Sequence, residues 1–125
     1  MKPFRLDSAI ACSSASDILK TERIRELNDI FRKNLKDGGV VFSFHVNELP
    51  EATRYELLRK LAEFDTFTPE NDPYEEHDFG AFEYEDERYF WKIDYYDLNM
   101  LFMSPDPADP AFTIRVLTLM HADEY

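Results

Sequence analysis

Between residues 77 and 97 apolar and polar side chains alternate with period two on either side of a Glu85-Asp86 step, and that pattern restricts the segment to a β-hairpin. Strands over 78–84 and 87–95 put Gly80, Phe82, Tyr84, Tyr89, Trp91, Ile93 and Tyr95 on one face, which is a core surface. The other face takes His77, Phe79, Ala81, Glu83, Arg88, Phe90, Lys92 and Asp94, with Glu83 expected opposite Arg88 and His77 opposite Asp94. Gly80 leaves room for Trp91 on the neighbouring strand.

A chain of 125 residues is one domain by size, and 44% hydrophobic residues give it enough apolar surface to fold without cross-links. Cys12 is the single cysteine, so no intramolecular disulfide or multi-cysteine metal site forms, which fits a reducing cytoplasm. The run Ala9-Ile10-Ala11-Cys12 has the outline of a lipobox, but Arg5 and Asp7 interrupt the apolar stretch a signal peptide needs. No segment approaches membrane-spanning length. The net charge of −12 is unevenly placed: residues 1–60 hold eleven Lys and Arg against nine Asp and Glu, whereas residues 61–125 hold three against seventeen. That acidic half repels phosphate, so direct binding of nucleic acid is not expected and a basic protein partner is.

Residues 1–16 lack periodicity and read as a mobile leader, leaving a single domain over 17–125. A helix is expected over residues 17–35, with Ile24, Leu27, Ile30, Phe31 and Leu35 on its apolar side and Arg23, Arg25, Arg32, Lys33 and Lys36 on its solvated side. Gly38-Gly39 is expected to end it. VVFSFHV, residues 40–46, reads as a strand, and a second helix spans about residues 50–64 on a stripe of Leu57, Leu58, Leu61 and Phe64. After the hairpin, residues 98–103 (LNMLFM) form a short edge strand or an apolar flap, and SPDPADP is rigid and extended. Asp109 and Pro110 then open a last helix running through Ile114, Leu117 and Met120. The expected order is α-β-α-β-β-(β)-α, an α+β domain with an antiparallel sheet of three to four strands and helices on one face.

Three groups of residues bear chemistry. If the 40–46 strand joins the hairpin, His45 shares the outer face with His77 and Asp94, and two imidazoles with a carboxylate form the ligand set of a non-haem iron or zinc site. Glu75, Glu76, His77 and Asp78 with Asp94 and Asp97 gather carboxylates at the open end of the hairpin, where they offer a general acid and base, a hard-cation site or a solvated rim. Lys92 beside Asp94 has the outline of a nuclease pairing, set in a surface that repels a polyanion. The residues for a nucleophile elbow or a phosphate-binding glycine loop are missing, as there are only three glycines. The leading reading calls for no cofactor.

NDPYEEHDFGAF, FWKIDYYD and SPDPADPAFTIRVLTLMHADEY, taken together, resemble a small uncharacterised bacterial family, a domain of unknown function common on plasmids and mobile elements, and the resemblance covers most of the chain from Ile24. It implies a cytoplasmic protein of this size and carries no established activity. Many members have glycine in the hairpin turn where this chain has Glu85-Asp86. Carriage on mobile elements implies a host-defence antagonist or a plasmid-maintenance role by association alone.

Two functions follow as expectations. The first is an acidic cytoplasmic interaction protein, a nucleic-acid charge mimic or an antagonist of a basic host or plasmid factor, binding through Glu75, Glu76 and Asp78. The second is a small metal-assisted hydrolase using His77, Asp78, Lys92, Asp94 and Asp97, with metal candidates His45, His77 and Asp94. Separately, Met100, Leu101, Phe102 and Met103 cannot all face inward from one strand, so part of that run is expected to be exposed and to make a partner contact or a weak homodimer.

Overall fold

The computed structural model describes residues 15–125, so the leader read in residues 1–16 falls almost wholly outside the described residues, as does Cys12. The elements in order are α1 (Ala15–Asn34), β1 (Gly38–Phe42), α2 (Phe44–Asn47), α3 (Glu51–Glu63), β2 (Phe79–Tyr84), β3 (Glu87–Tyr96) and β4 (Ile114–His121). Single 3-10 turns, Pro110–Phe112 and Ala122–Glu124, flank β4. This is a single α+β domain whose four-stranded sheet has the order β1-β4-β3-β2.

The hairpin forms in the expected register, with Gly80 opposite Trp91 and Glu83 opposite Arg88. His77 is not opposite Asp94, because β2 begins at Phe79 and His77 turns away with φ 56°. The sheet is mixed rather than purely antiparallel: β4 runs antiparallel to β3, with Trp91 opposite Leu119, and parallel to β1, with Val40 opposite Leu117. The element expected as a last helix is therefore the inner strand β4. Six of its eight residues are β-branched or aliphatic and both of its faces are largely buried, so Ile114, Leu117 and Met120 match helical spacing without forming a helix. The Asp109-Pro110 start signal is real but opens only one turn, in which the Asp109 carboxylate accepts the Ala111 N–H at 2.9 Å.

Trp91, Ile93, Leu117 and Leu119 form the core face of the sheet, closed by Phe31 of α1, Val46 of α2, and Leu57 and Leu61 of α3. On α1 the buried side is Ile24, Asn28, Phe31 and Arg32, while Ile30 is half exposed. Arg32 was expected on the solvated side. Instead its guanidinium is buried, donating to the carbonyls of Leu61, Ala62 and Phe64 at 3.1, 3.3 and 2.9 Å and to Asp29 Oδ1 at 3.0 Å. The carbonyls at the C-terminus of α3 carry partial negative charge that this cation satisfies.

Helix α1 ends before the glycines expected to stop it, through Leu35 at φ 54° with its N–H on the Phe31 carbonyl. Gly38 serves packing: a β-carbon there would lie 2.5 Å from the Arg115 carbonyl oxygen and 2.6 Å from the Phe31 ring. The strand expected over 40–46 stops at Phe42, because Ser43 turns the chain and its Oγ accepts the Val46 N–H at 3.4 Å, capping α2. His45 thereby leaves the sheet. Among the described residues no helix is long and apolar enough to cross a membrane.

Candidate functional site

The three sequence candidates for a metal, His45, His77 and Asp94, lie in three separate places. His77 lies beside α1, its Nδ1 2.9 Å from Asp29 Oδ1, its Nε2 3.6 Å from Asp72 Oδ2, and its ring stacked on Phe67 at 3.6 Å. Arg25, Phe67, Pro69, Asp72 and Glu75 line a shallow cleft with it. Asp94 lies on the helix-free face of the sheet, paired with Lys92. Asp78, expected on an acidic display surface, is buried where β2 begins, and its carbonyl accepts the Ile93 N–H at 2.8 Å. Glu76 is drawn inward: its carboxylate accepts from the Tyr95 hydroxyl at 2.8 Å, and that oxygen accepts from Asn28 Nδ2 at 2.7 Å. Arg115 Nε completes the network on Asn28 Oδ1 at 2.7 Å. Burial, then the charges of Glu76 and Asp78, push the Tyr95 phenol far above its ordinary value, and burial lowers the Arg115 guanidinium. Of Glu75, Glu76 and Asp78, Glu75 alone is exposed.

His45 meets two residues that the sequence reading passed over. β3 starts with Glu87 and β4 ends with His121, and their antiparallel pairing, with Tyr89 opposite His121, brings these ends together. β1 is parallel to β4, so the turn after β1 delivers His45 to the same end of the sheet. The His45 and His121 rings stack at 4.2 Å, and Tyr89 meets both edge-on. His121 Nε2 lies 3.1 Å from Glu87 Oε1, and its Nδ1 accepts the Asp123 N–H at 3.1 Å. Glu124 clamps the ensemble: its carboxylate accepts from Ser43 Oγ at 2.5 Å, from the His45 N–H at 3.0 Å and from the His121 N–H at 2.9 Å. Burial alone would raise the Glu124 carboxyl, but these three hydrogen bonds outweigh it and hold the group below the usual carboxylate range. A cleft of about 330 Å³ opens beside the histidines, lined by His45, Leu49, Thr53, Tyr84, Glu87 and Tyr89.

A third feature stands at the other end of β3. Asp97 Oδ1 accepts the N–H groups of Asn99 and Leu101, both at 3.1 Å, and Met100 takes φ 59°. The Asp97 N–H donates to Phe102 O, Tyr96 bridges Met103, and the Ser104 N–H donates to Tyr95 O. These bonds close a tongue whose backbone is pinned and whose apolar side chains point outward: Leu101, Phe102 and Met103 are 72, 73 and 79% exposed, beside exposed Leu98, Met100 and Phe112. The expected exposure in this run is present and extends to every member.

Fold and site together define a small α+β protein with a mixed sheet, a histidine-bearing cleft at one end and a rigid apolar tongue at the other. The chain belongs to the family described as Protein of unknown function (DUF3768), whose match covers residues 42–124. That span takes in His45, Glu87, the tongue, His121 and Glu124, and leaves out α1. No curated protein and no solved structure matches the chain.

Proposed function

We propose that this is a cytoplasmic interaction protein that docks the tongue, residues 98–103, into an apolar groove on a basic protein partner, as an antagonist of a host or plasmid factor. The tongue carries the reading. Five large apolar side chains held out by an Asp97-pinned backbone, with exposed Phe112 of the following turn, are costly to leave in water, and a patch of this kind on a small protein marks a contact surface. Methionines within it adapt to the groove they enter. Asp94, Asp97, Asp106 and Asp109 stand on the segments that root the tongue, and the net charge of −12 adds a long-range field that selects a groove rimmed by Lys and Arg. With Glu76 and Asp78 turned inward, contact through the tongue has more support than a ladder of carboxylates copying a phosphate backbone.

The test is affinity capture from a host lysate with the wild type and with a Leu101→Asp/Phe102→Asp variant, with light scattering on both. Both side chains are exposed, so each substitution should keep the wild-type stability to within about 0.5 kcal/mol. A basic protein should be retained by the wild type at low salt, weakened by salt and lost with the variant. Capture that survives the substitutions overturns the reading, and a wild-type dimer that the variant dissociates reassigns the tongue to self-association.

A further inference from the structure

We propose that His45, Glu87 and His121 form a binding site for a divalent transition-metal ion of the zinc class, with open coordination positions facing the cleft of about 330 Å³. Two imidazole nitrogens and one carboxylate oxygen already lie within 4.8 Å of one another. Zinc holds such donors at about 2.0–2.2 Å, which places them roughly 3.4 Å apart, so closure needs a movement of little more than an ångström. His121 is the fixed ligand, buried at the end of β4. His45 is the adjustable one: it is half-buried on a one-turn helix, and among the described residues its ring makes stacking contacts but no hydrogen bond. Tipping this ring out of the stack aims a nitrogen at the point between His121 Nε2 and Glu87.

The hydrogen bond from His121 to Glu87 marks where the ion sits. With Nδ1 accepting the Asp123 N–H, the neutral ring carries its proton on Nε2 and donates it to Glu87 Oε1. On metal binding Nε2 gives its lone pair to the ion and the ring proton moves to Nδ1, which must release the Asp123 N–H it accepts in the metal-free chain, so the ring keeps one proton while the Ala122–Glu124 turn shifts. Asp123 Oδ2, 3.6 Å from Nδ1, is the carboxylate that this proton reaches once the turn shifts, and a carboxylate behind a ligating imidazole fixes its tautomer and raises its basicity. Glu85 lines the cleft and Asp123 and Glu124 lie beside His121, adding negative charge that favours a cation. Three protein ligands with the remaining positions open to a cleft is the arrangement of zinc sites that bind a small molecule or activated water, as opposed to closed structural sites.

The experiment is a calorimetric titration of the full chain, stripped by chelator and dialysed, with Zn²⁺, repeated with Co²⁺ while its visible absorption is followed. One equivalent should bind, with Co²⁺ giving the intense bands of a low-coordinate site. His45→Ala and Glu87→Gln should each weaken binding by more than about tenfold, and Asp123→Asn by about tenfold, with circular dichroism unchanged. No binding by the wild type overturns the proposal, as does wild-type affinity in the His45→Ala/Glu87→Gln double variant. Loss of binding in His77→Ala alone also overturns it, placing the ion at the Asp29–Asp72–His77 cluster.

Discussion

Gly80 faces Trp91 so closely across the hairpin that a β-carbon built on it would lie 2.5 Å from the indole Nε1. The indole is fully buried, edge-on to Phe64 and Phe67, with the Arg32 guanidinium 5.4 Å from its ring centre. Trp91→Ala should therefore cost about 3–5 kcal/mol, the range for emptying a large aromatic site. Gly80→Val should also destabilise, since the indole it would strike is fully buried among packed rings. Urea unfolding of the two variants checks this, and a wild-type midpoint for Gly80→Val would mean the sheet relaxes at this contact.

Glu85 and Asp86 have φ of 50° and 66°, the left-handed pair that a two-residue type I′ hairpin turn requires. Glu85 does not favour that region, which costs roughly 1–2 kcal/mol for an ordinary L-residue, whereas the short polar side chain of Asp86 tolerates it better without matching glycine. Replacing the pair with Asn-Gly should raise stability by about 1 kcal/mol without changing the register. Thermal melts give the first quantity and amide exchange along β2 and β3 the second. No gain would show that contacts of Glu85 or Asp86 offset the backbone strain.

The hairpin was legible because both of its constraints are local: alternation sets the faces, and a two-residue turn sets the register. β4 was not. A strand buried on both faces loses the alternation that distinguishes it, and Ile114, Leu117 and Met120 then mimic a helical stripe. Its parallel partner β1 lies more than seventy residues away in the chain, so no local signal announces the pairing. The histidine cluster inherits that blindness. Once β4 is read as a helix, His121 cannot be placed beside Glu87, and reading 40–46 as one strand puts His45 on the sheet. Ser43 was the available signal, a capping residue in the middle of an apolar run.

Tyr95 joins α1, the 71–78 loop and the sheet through one hydroxyl. Tyr95→Phe leaves the Glu76 carboxylate without that donor and Asn28 without that acceptor, and should cost about 1–3 kcal/mol. Because the folded phenol is held above its ordinary value, the unfolded chain ionises first as pH rises. The contribution is thus whole below about pH 10 and is lost above it, at up to about 1.4 kcal/mol per pH unit. Stability measured from pH 8 to 11 should fall more steeply for the wild type than for Tyr95→Phe. Parallel curves would show that this phenol is not what alkali attacks.

Glu124 has the opposite sign. Its folded carboxyl sits below the usual range, so the clamp on Ser43, His45 and His121 is present above that range and fails as pH falls through the folded value. The side chain is exposed, and solvent screens it, so Glu124→Gln should cost only about 1 kcal/mol at pH 7. The difference between wild type and variant should then shrink toward zero as pH falls through the folded value and the wild-type carboxyl becomes neutral as well. Because the clamp holds α2 against the end of β4, the variant should also loosen the stack of His45 on His121, read as increased His45 ring mobility in NMR relaxation. Unchanged ring dynamics with the full loss of stability would mean that Glu124 secures the turn after β4 and that the His121 and Tyr89 ring contacts hold His45 without it.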